Sequence, residues 1–160
     1  MSERNVRNDA SQKVVCRNKK AAHEYFLEEF LEAGMVLLGA EVKSLREGRS
    51  NLVDSYAKVT KGEVFLHNMH ITPYFFAHHM ELDPTRKRKL LMSKREIRRL
   101  IGKTEEKGYS LIPTKVYFKN GRAKVEIALA KGKKKYDKRQ VLKEKELKRD
   151  MDQARKQGRY

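Results

Sequence analysis

The sequence predicts a mainly β protein with flanking helices (α+β): a small closed antiparallel β-barrel with three short helices and a basic C-terminal tail. Three observations predict it. Two apolar, β-favouring segments are each folded back on themselves by a two-residue turn, Lys61-Gly62 and Asn120-Gly121; only three short stretches have helical spacing; and residues 131–160 are dominated by charge. Tight turns join antiparallel strands, and closing such a sheet removes the unpaired edges that invite aggregation.

Taken in order, residues 1–12 carry charge without an apolar run and predict a flexible N-terminus ahead of a folded domain spanning 13–130. Phe26, Leu27, Phe30 and Leu31 fall at i, i+1, i+4 and i+5, which predicts a first helix over His23–Leu31, ended by Gly34. Met35 to Leu38 reads as a short buried strand, and Glu41 to Glu47 as a helix stopped by Gly48. Ser55–Thr60 and Glu63–Asn68 form a predicted hairpin with Val64 and Leu66 on one face, and Pro73 breaks the run. Ser93 with Glu96 three residues later is a capping box, and Ile97, Leu100 and Ile101 give its helix an apolar stripe that ends near Gly108. Tyr109–Phe118 and Arg122–Ala130 flank Asn120-Gly121, with Ala123, Val125, Ile127 and Leu129 alternating inward.

The tail, 131–160, holds thirteen basic and five acidic residues, a net +8 of the chain's +17. Between Asp137 and Gln157 its apolar side chains are only Val141, Leu142, Leu147, Met151 and Ala154, too few to offset the entropy of ordering. Its Lys, Glu, Arg and Gln content, with no Pro, favours helix once a partner is present. The expectation is a segment disordered when free and helical when bound.

Composition narrows the function. A single cysteine, Cys16, excludes an internal disulfide framework and fits a reducing compartment. The N-terminal stretch lacks the apolar core of a secretory signal, and the longest apolar run, Met35–Ala40, is far below membrane-spanning length, so a cytoplasmic protein without a membrane partner is expected. His67, His70, His78 and His79 have no second cysteine and no zinc-site spacing; neither metal nor other cofactor is predicted. No nucleophile elbow or phosphate-cradling loop is present, and Glu28, Glu29 and Glu32 read as a solvated helix face. The basic run Arg86–Lys89, continued by Lys94, Arg95, Arg98 and Arg99, reads by itself as a solvated face, but with the whole-chain charge and a second block over Lys131–Lys135 it points to a polyanion; Tyr25, Tyr56, Tyr74 and Tyr136 are candidate stacking platforms, each equally able to be half-buried core. Phosphates of RNA or DNA fit these features best, and an enzyme active site is not expected; an RNA-processing enzyme and a general basic nucleic-acid-binding protein are the competing readings.

The motifs over residues 13–145 resemble those of the small protein B (SmpB) family, the bacterial partner of transfer-messenger RNA (tmRNA) in rescue of stalled ribosomes. They include Asn18-Lys19-Lys20-Ala21 with His23 and Tyr25, Glu32-Ala33-Gly34, and Glu41-Val42-Lys43-Ser44-Leu45-Arg46. Further on come His70-Ile71-Thr72-Pro73-Tyr74, Asp83-Pro84-Thr85-Arg86, Arg88-Lys89-Leu90-Leu91, and Val125 through Lys134. The resemblance implies an oligonucleotide-binding-like barrel that grips the tRNA-like domain of tmRNA and helps it reach an empty ribosomal A site with elongation factor Tu. It implies RNA contacts at Asn18, Lys19, Lys20, His23, Tyr25, Glu32, Lys43, Arg46, Leu91 and Lys124. For Glu32 the alternative is a salt bridge orienting Arg46, and for Leu91 core packing. Gly132, Lys133, Lys134, Lys135, Tyr136, Asp137, Lys138 and Arg139 are implied to sit at the decoding centre, with the rest of the tail in the vacant mRNA channel. Tyr136 stands where some members have His; both can stack, but only His becomes cationic near neutral pH. Truncation after Lys131 is expected to spare RNA affinity and abolish rescue.

Overall fold

Asn120 and Gly121 adopt φ of 52° and 75°, and Lys61 and Gly62 adopt 49° and 75°, the paired positive φ values that match a two-residue turn to the twist of antiparallel strands. Around the first turn, β8 (Tyr109–Lys119) and β9 (Arg122–Gly132) pair in the register Lys119 to Arg122, Phe118 to Ala123, Tyr117 to Lys124. Around the second, β4 (Tyr56–Thr60) pairs β5 (Glu63–His67) and buries Val64 and Leu66 completely. Gly121→Ala forces a side chain into the left-handed region and is expected to cost on the order of 1 kcal/mol, read as a lower thermal midpoint with unchanged far-UV dichroism.

The computed structural model describes residues 12–74, 82–106 and 108–158, the side chains of 135–137 excepted. Expectations placed on residues 1–11, His78 and His79 lie outside the described residues. The remaining elements are β1 (Gln12–Arg17), α1 (Ala21–Glu24), β2 (Tyr25–Met35), α2 (Gly39–Arg46), β3 (Ser50–Asn51), β6 (His70–Ile71), β7 (Arg88–Leu91), α3 (Lys94–Thr104) and α4 (Lys135–Gln157). The main sheet has seven strands in the order β1-β8-β4-β5-β7-β2-β9, and β8 pairs with β9 as well. One edge of β8 is shared, Leu111 with β4 and Lys115 to Lys119 with β1, and every pairing is antiparallel. β3 and β6 form a separate two-stranded sheet.

The first predicted helix is a strand. Only Ala21–Glu24 is helical, and Tyr25–Met35 runs extended with Phe26, Glu28, Phe30 and Glu32 exposed and their neighbours covered. The apolar doublets that mimic a helical stripe are decided by β9, which offers β2 nine residue pairs and a bulge between Leu27 and Glu29. Glu28, Glu29 and Glu32 therefore belong to a strand. Met35 ends that strand rather than opening another, and Val36–Leu38 is a connection held by the Val36 N–H donating to the Lys89 carbonyl at 3.0 Å. The next helix begins at Gly39, two residues earlier than expected, because the Glu41 carboxylate accepts from the Leu38 N–H at 3.0 Å. Ser93 and Glu96 cap α3 reciprocally, and Leu100 on its inner stripe is buried. Four helices, not three, lie among the described residues, the fourth being α4 in the tail.

The basic run at 86–89 is only half a solvated face. In β7 Arg88 and Leu90 point inward while Lys89 and Leu91 point out. Arg88 is fully buried; its guanidinium donates to Glu41 at 2.7 Å and to the carbonyls of Met69, Pro84 and Arg86, while Arg86 holds the other Glu41 oxygen. Val64, Leu66, Leu90, Leu111, Val116, Val125 and Ile127 fill the core between these strands, with Leu45 of α2 and Leu100 of α3 packed into it. A second small cluster, Ala21, Ile112 and Ala130 with Tyr25 and Leu27, joins α1 to β2, β8 and β9.

Candidate nucleic-acid interface

Strand register gathers the first group of candidate residues. Leu91 of β7 pairs with Gly34 of β2, Gly34 with Lys124 of β9, and Lys124 with Tyr117 of β8, so one row crosses four strands. The adjacent row is Glu32, Glu126 and Lys115. Glu32 accepts a hydrogen bond from the Tyr117 hydroxyl at 2.5 Å, and Lys119 Nζ lies 3.5 Å from the same carboxylate. Glu126 accepts from Thr114 at 2.6 Å, and Lys115, 3.7 Å from Glu126, also sits 5.4 Å from the centre of the Tyr117 ring. Burial and the hydrogen bond to Glu32 push the Tyr117 hydroxyl pKa well up, so it stays a donor at all physiological pH. The outcome is an acceptor fixed in position and rimmed by lysines.

Leu91 is 55% exposed, which rules out core packing as the reason for its presence. It lies over Gly34, where an added Cβ would come within 3.3 Å of the Leu91 Cβ, so the glycine lets Leu91 rest low on the sheet. Glu32 does not orient Arg46. Its partners are Tyr117 and Lys119, whereas the Arg46 guanidinium lies 5.3 Å from the Phe118 ring centre and Lys43 of the same helix 5.5 Å from that of Tyr74.

A second group lies at the other end of β2. Asn18, Lys20 and Tyr25 line a concavity of about 540 Å³ together with Tyr56, Asp54 and Tyr109. Asn18 shapes it, donating its amide to the Pro113 carbonyl at 3.0 Å and its N–H to the Thr114 carbonyl at 2.7 Å. Tyr56 is backed by His67, the rings 5.0 Å apart and 7° from parallel. Burial, then Lys87 and Lys58, lower the His67 pKa, which keeps that imidazole neutral at pH 7. Lys19 is exposed and His23, on α1, half-buried. Tyr25 and Glu32 are seven residues apart on one strand, about 20 Å, so the ten candidates do not form a single cluster.

The tail begins beside this second group. Gly132 pairs with Tyr25 at the end of β9. Lys133 donates its backbone N–H to the Glu24 carbonyl and its ammonium to the Ala22 carbonyl, both at 2.9 Å, and the ammonium lies 4.9 Å from the Phe26 ring centre. These acceptors are carbonyls at the end of α1, where a helix favours a cation. Lys134 precedes α4, and Lys135 to Arg139 form its first residues.

Residues 15–157 match the SmpB protein family. The chain belongs to the SmpB family. Among its relatives, the SsrA-binding protein of Geobacillus thermodenitrificans is 61% identical over 142 residues, covering 89% of this chain and 92% of the relative. That of Geobacter sulfurreducens is 59% identical over 143 residues, covering 89% and 94%. A solved chain described as "tmRNA-SmpB: a journey to the center of the bacterial ribosome" superposes with a TM-score of 0.64 at 48% identity, covering 75% of this chain and 85% of that one. Against the SmpB pattern, the structure adds Lys115, Tyr117 and Lys119 to the Glu32 group. One of these was legible in the sequence, because counting outward from Asn120-Gly121 sets Tyr117 opposite Lys124. The Tyr117 to Glu32 bond joins β8 to β2 and has no local signal.

Proposed function

We propose that the chain is a non-catalytic RNA-binding adaptor that recognises the tRNA-like domain of tmRNA and serves ribosome rescue. The observation that carries this reading is the pair of adjacent rows that bring Leu91, Lys124 and the fixed Glu32 carboxylate onto one outer face of four strands, within a chain of the SmpB family. The chemistry suits folded RNA. Lysines neutralise phosphate, a carboxylate accepts from a base amine or a 2′-hydroxyl, and an exposed leucine packs on a sugar or base. The cycle of pairings from β8 through β4, β5, β7, β2 and β9 back to β8 supports the closed, oligonucleotide-binding-like barrel expected for such a role.

In this reading Asn18, Lys19, Lys20, His23, Tyr25, Lys43 and Arg46 extend the RNA contact beyond the Glu32 group. The tail from Gly132 through Arg139 reads the decoding centre, and the remainder of α4 enters the empty mRNA channel, where its six lysines and arginines beyond Arg139 meet phosphate. Delivery with elongation factor Tu proceeds through the aminoacylated RNA, in the cytoplasm.

The test is affinity for the tRNA-like domain of tmRNA beside an ordinary tRNA and a length-matched duplex, repeated across salt. Preference for the first that persists as salt rises is expected; equal binding that vanishes for all three together would leave only charge. Glu32→Ala, which strands the Tyr117 hydroxyl and removes the acceptor, is expected to weaken binding of the tRNA-like domain about ten- to a hundredfold without altering the fold.

A further inference from the structure

The concavity at the α1 end of β2 is far from the Glu32 row and has its own chemistry. Its volume, about 540 Å³, falls within the ~300–1,000 Å³ of small-ligand sites. One wall is Tyr56, 40% exposed and already stacked on His67 behind it, so the ring is held in place before anything binds. Asp54 and Glu24 line the same space, and among the described residues neither carboxylate is in an ion pair; Lys20 and Lys58 stand at its margin. Asp54 sits at φ 59°, a conformation that Asp and Asn tolerate better than other side chains. An aromatic platform, carboxylate acceptors and flanking ammonium groups are what one nucleotide requires: a face to stack on, partners for base N–H groups, and cations for its phosphate.

We infer that this cleft takes one unstacked nucleobase of the bound RNA, stacked on Tyr56 as the next layer above His67 and read at its edge by Asp54 and Glu24. The inference rests on the RNA-binding reading above and deepens it. Carboxylates accept but do not donate, so the cleft selects bases that present an amino group, above all guanine with N1–H and N2–H₂ in line, and disfavours uracil, whose edge offers one N–H between two carbonyls. Tyr25, which lines the cleft, pairs with Gly132, which puts the captured base near the root of the tail.

The full chain, isotopically labelled, is titrated with GMP, UMP and ribose 5-phosphate while amide shifts are followed by NMR. GMP is expected to move the amides of Tyr56, Ala57, Ser110 and Leu111 with an affinity at least tenfold above UMP. Asp54→Asn, which keeps the backbone conformation, should narrow that gap, and Tyr56→Leu should abolish the shifts and weaken binding of the tRNA-like domain about tenfold. Absence of shifts at these amides, equal response to GMP and UMP, or the same shifts from ribose 5-phosphate would overturn the inference. Glu32→Ala separates the two claims. If it weakens RNA binding while Tyr56→Leu and Asp54→Asn do not, RNA recognition stands and the cleft has no base; if no variant matters, RNA recognition itself falls.

Discussion

Arg88→Met is expected to lower the folding stability of the chain by about 3–5 kcal/mol, measured as the shift in urea midpoint, because it breaks a buried ion pair and leaves one Glu41 carboxylate oxygen without its donor. Glu41 is 4% exposed and keeps its charge through Arg88 and Arg86; without Arg88, the Met69 and Pro84 carbonyls also lose their donor. Glu41→Leu combined with Arg88→Met should recover part of the loss but not all, since those carbonyls stay unmatched. The effect has a pH signature. Burial alone would raise the Glu41 pKa, yet hydrogen bonds from Arg86, the Leu38 N–H and Arg88 more than offset it and hold the carboxyl below its ordinary value. A carboxyl depressed in the folded state stabilises it fully above the unfolded pKa, roughly 4.3, and loses that contribution as pH falls through the folded value. The stability gap between the native chain and Glu41→Gln should therefore be constant above about pH 5.5 and close on further acidification. A gap that widened with acid would contradict the arrangement. The pair ties α2, with Lys43 and Arg46, to β7, with Leu91, so its loss should also reach the proposed RNA surface.

The second large effect concerns the tail. Deleting residues 135–160 is expected to leave affinity for the tRNA-like domain within about threefold and to abolish tagging of peptides on stalled ribosomes. The structure moves the preferred cut: ending the chain at Lys131 would remove Gly132, which pairs with Tyr25, and Lys133, which binds α1, and so would disturb the proposed RNA surface as well. Ending it at Lys134 retains both. The deletion removes ten basic and five acidic residues, so affinity is best compared near ~0.2 M salt, where non-specific binding is suppressed. Persistent tagging by the shortened chain would refute the role assigned to the tail.

What was legible in the sequence was local. Both hairpins and the α3 cap rest on two to four adjacent residues whose backbone preferences point one way, and the structure has them in place. β2 was not legible, because doublets at 26–27 and 30–31 satisfy a helix stripe as well as a strand, and the choice was made by β9, about a hundred residues away. β7 was hidden by its own arginine: alternation that places Arg88 inside cannot be told from a basic surface run until Glu41 is found beside it. The candidate site divides likewise. Lys124 and Tyr117 are set by hairpin register, whereas Leu91 and Glu32 reach them only through pairings distant in the chain, and the separation of Tyr25 from Glu32 comes from their sharing a strand rather than a helix.

Lys133 gives the tail a pivot. α4 has 23 residues and so reaches about 35 Å from a root that Lys133 fastens to two carbonyls of a four-residue helix. A lever of that length multiplies small rotations: a tilt of about 10° at the root displaces the far end by about 6 Å, more than one helical turn. The seat of the pivot is α1, whose neighbours Asn18, Lys20 and Tyr25 line the cleft. Whatever settles against α1 thus sets the bearing of the tip, and Lys133→Met, which deletes the side-chain fastening but keeps the backbone one, should loosen the aim of the tail while leaving its length and charge nearly intact.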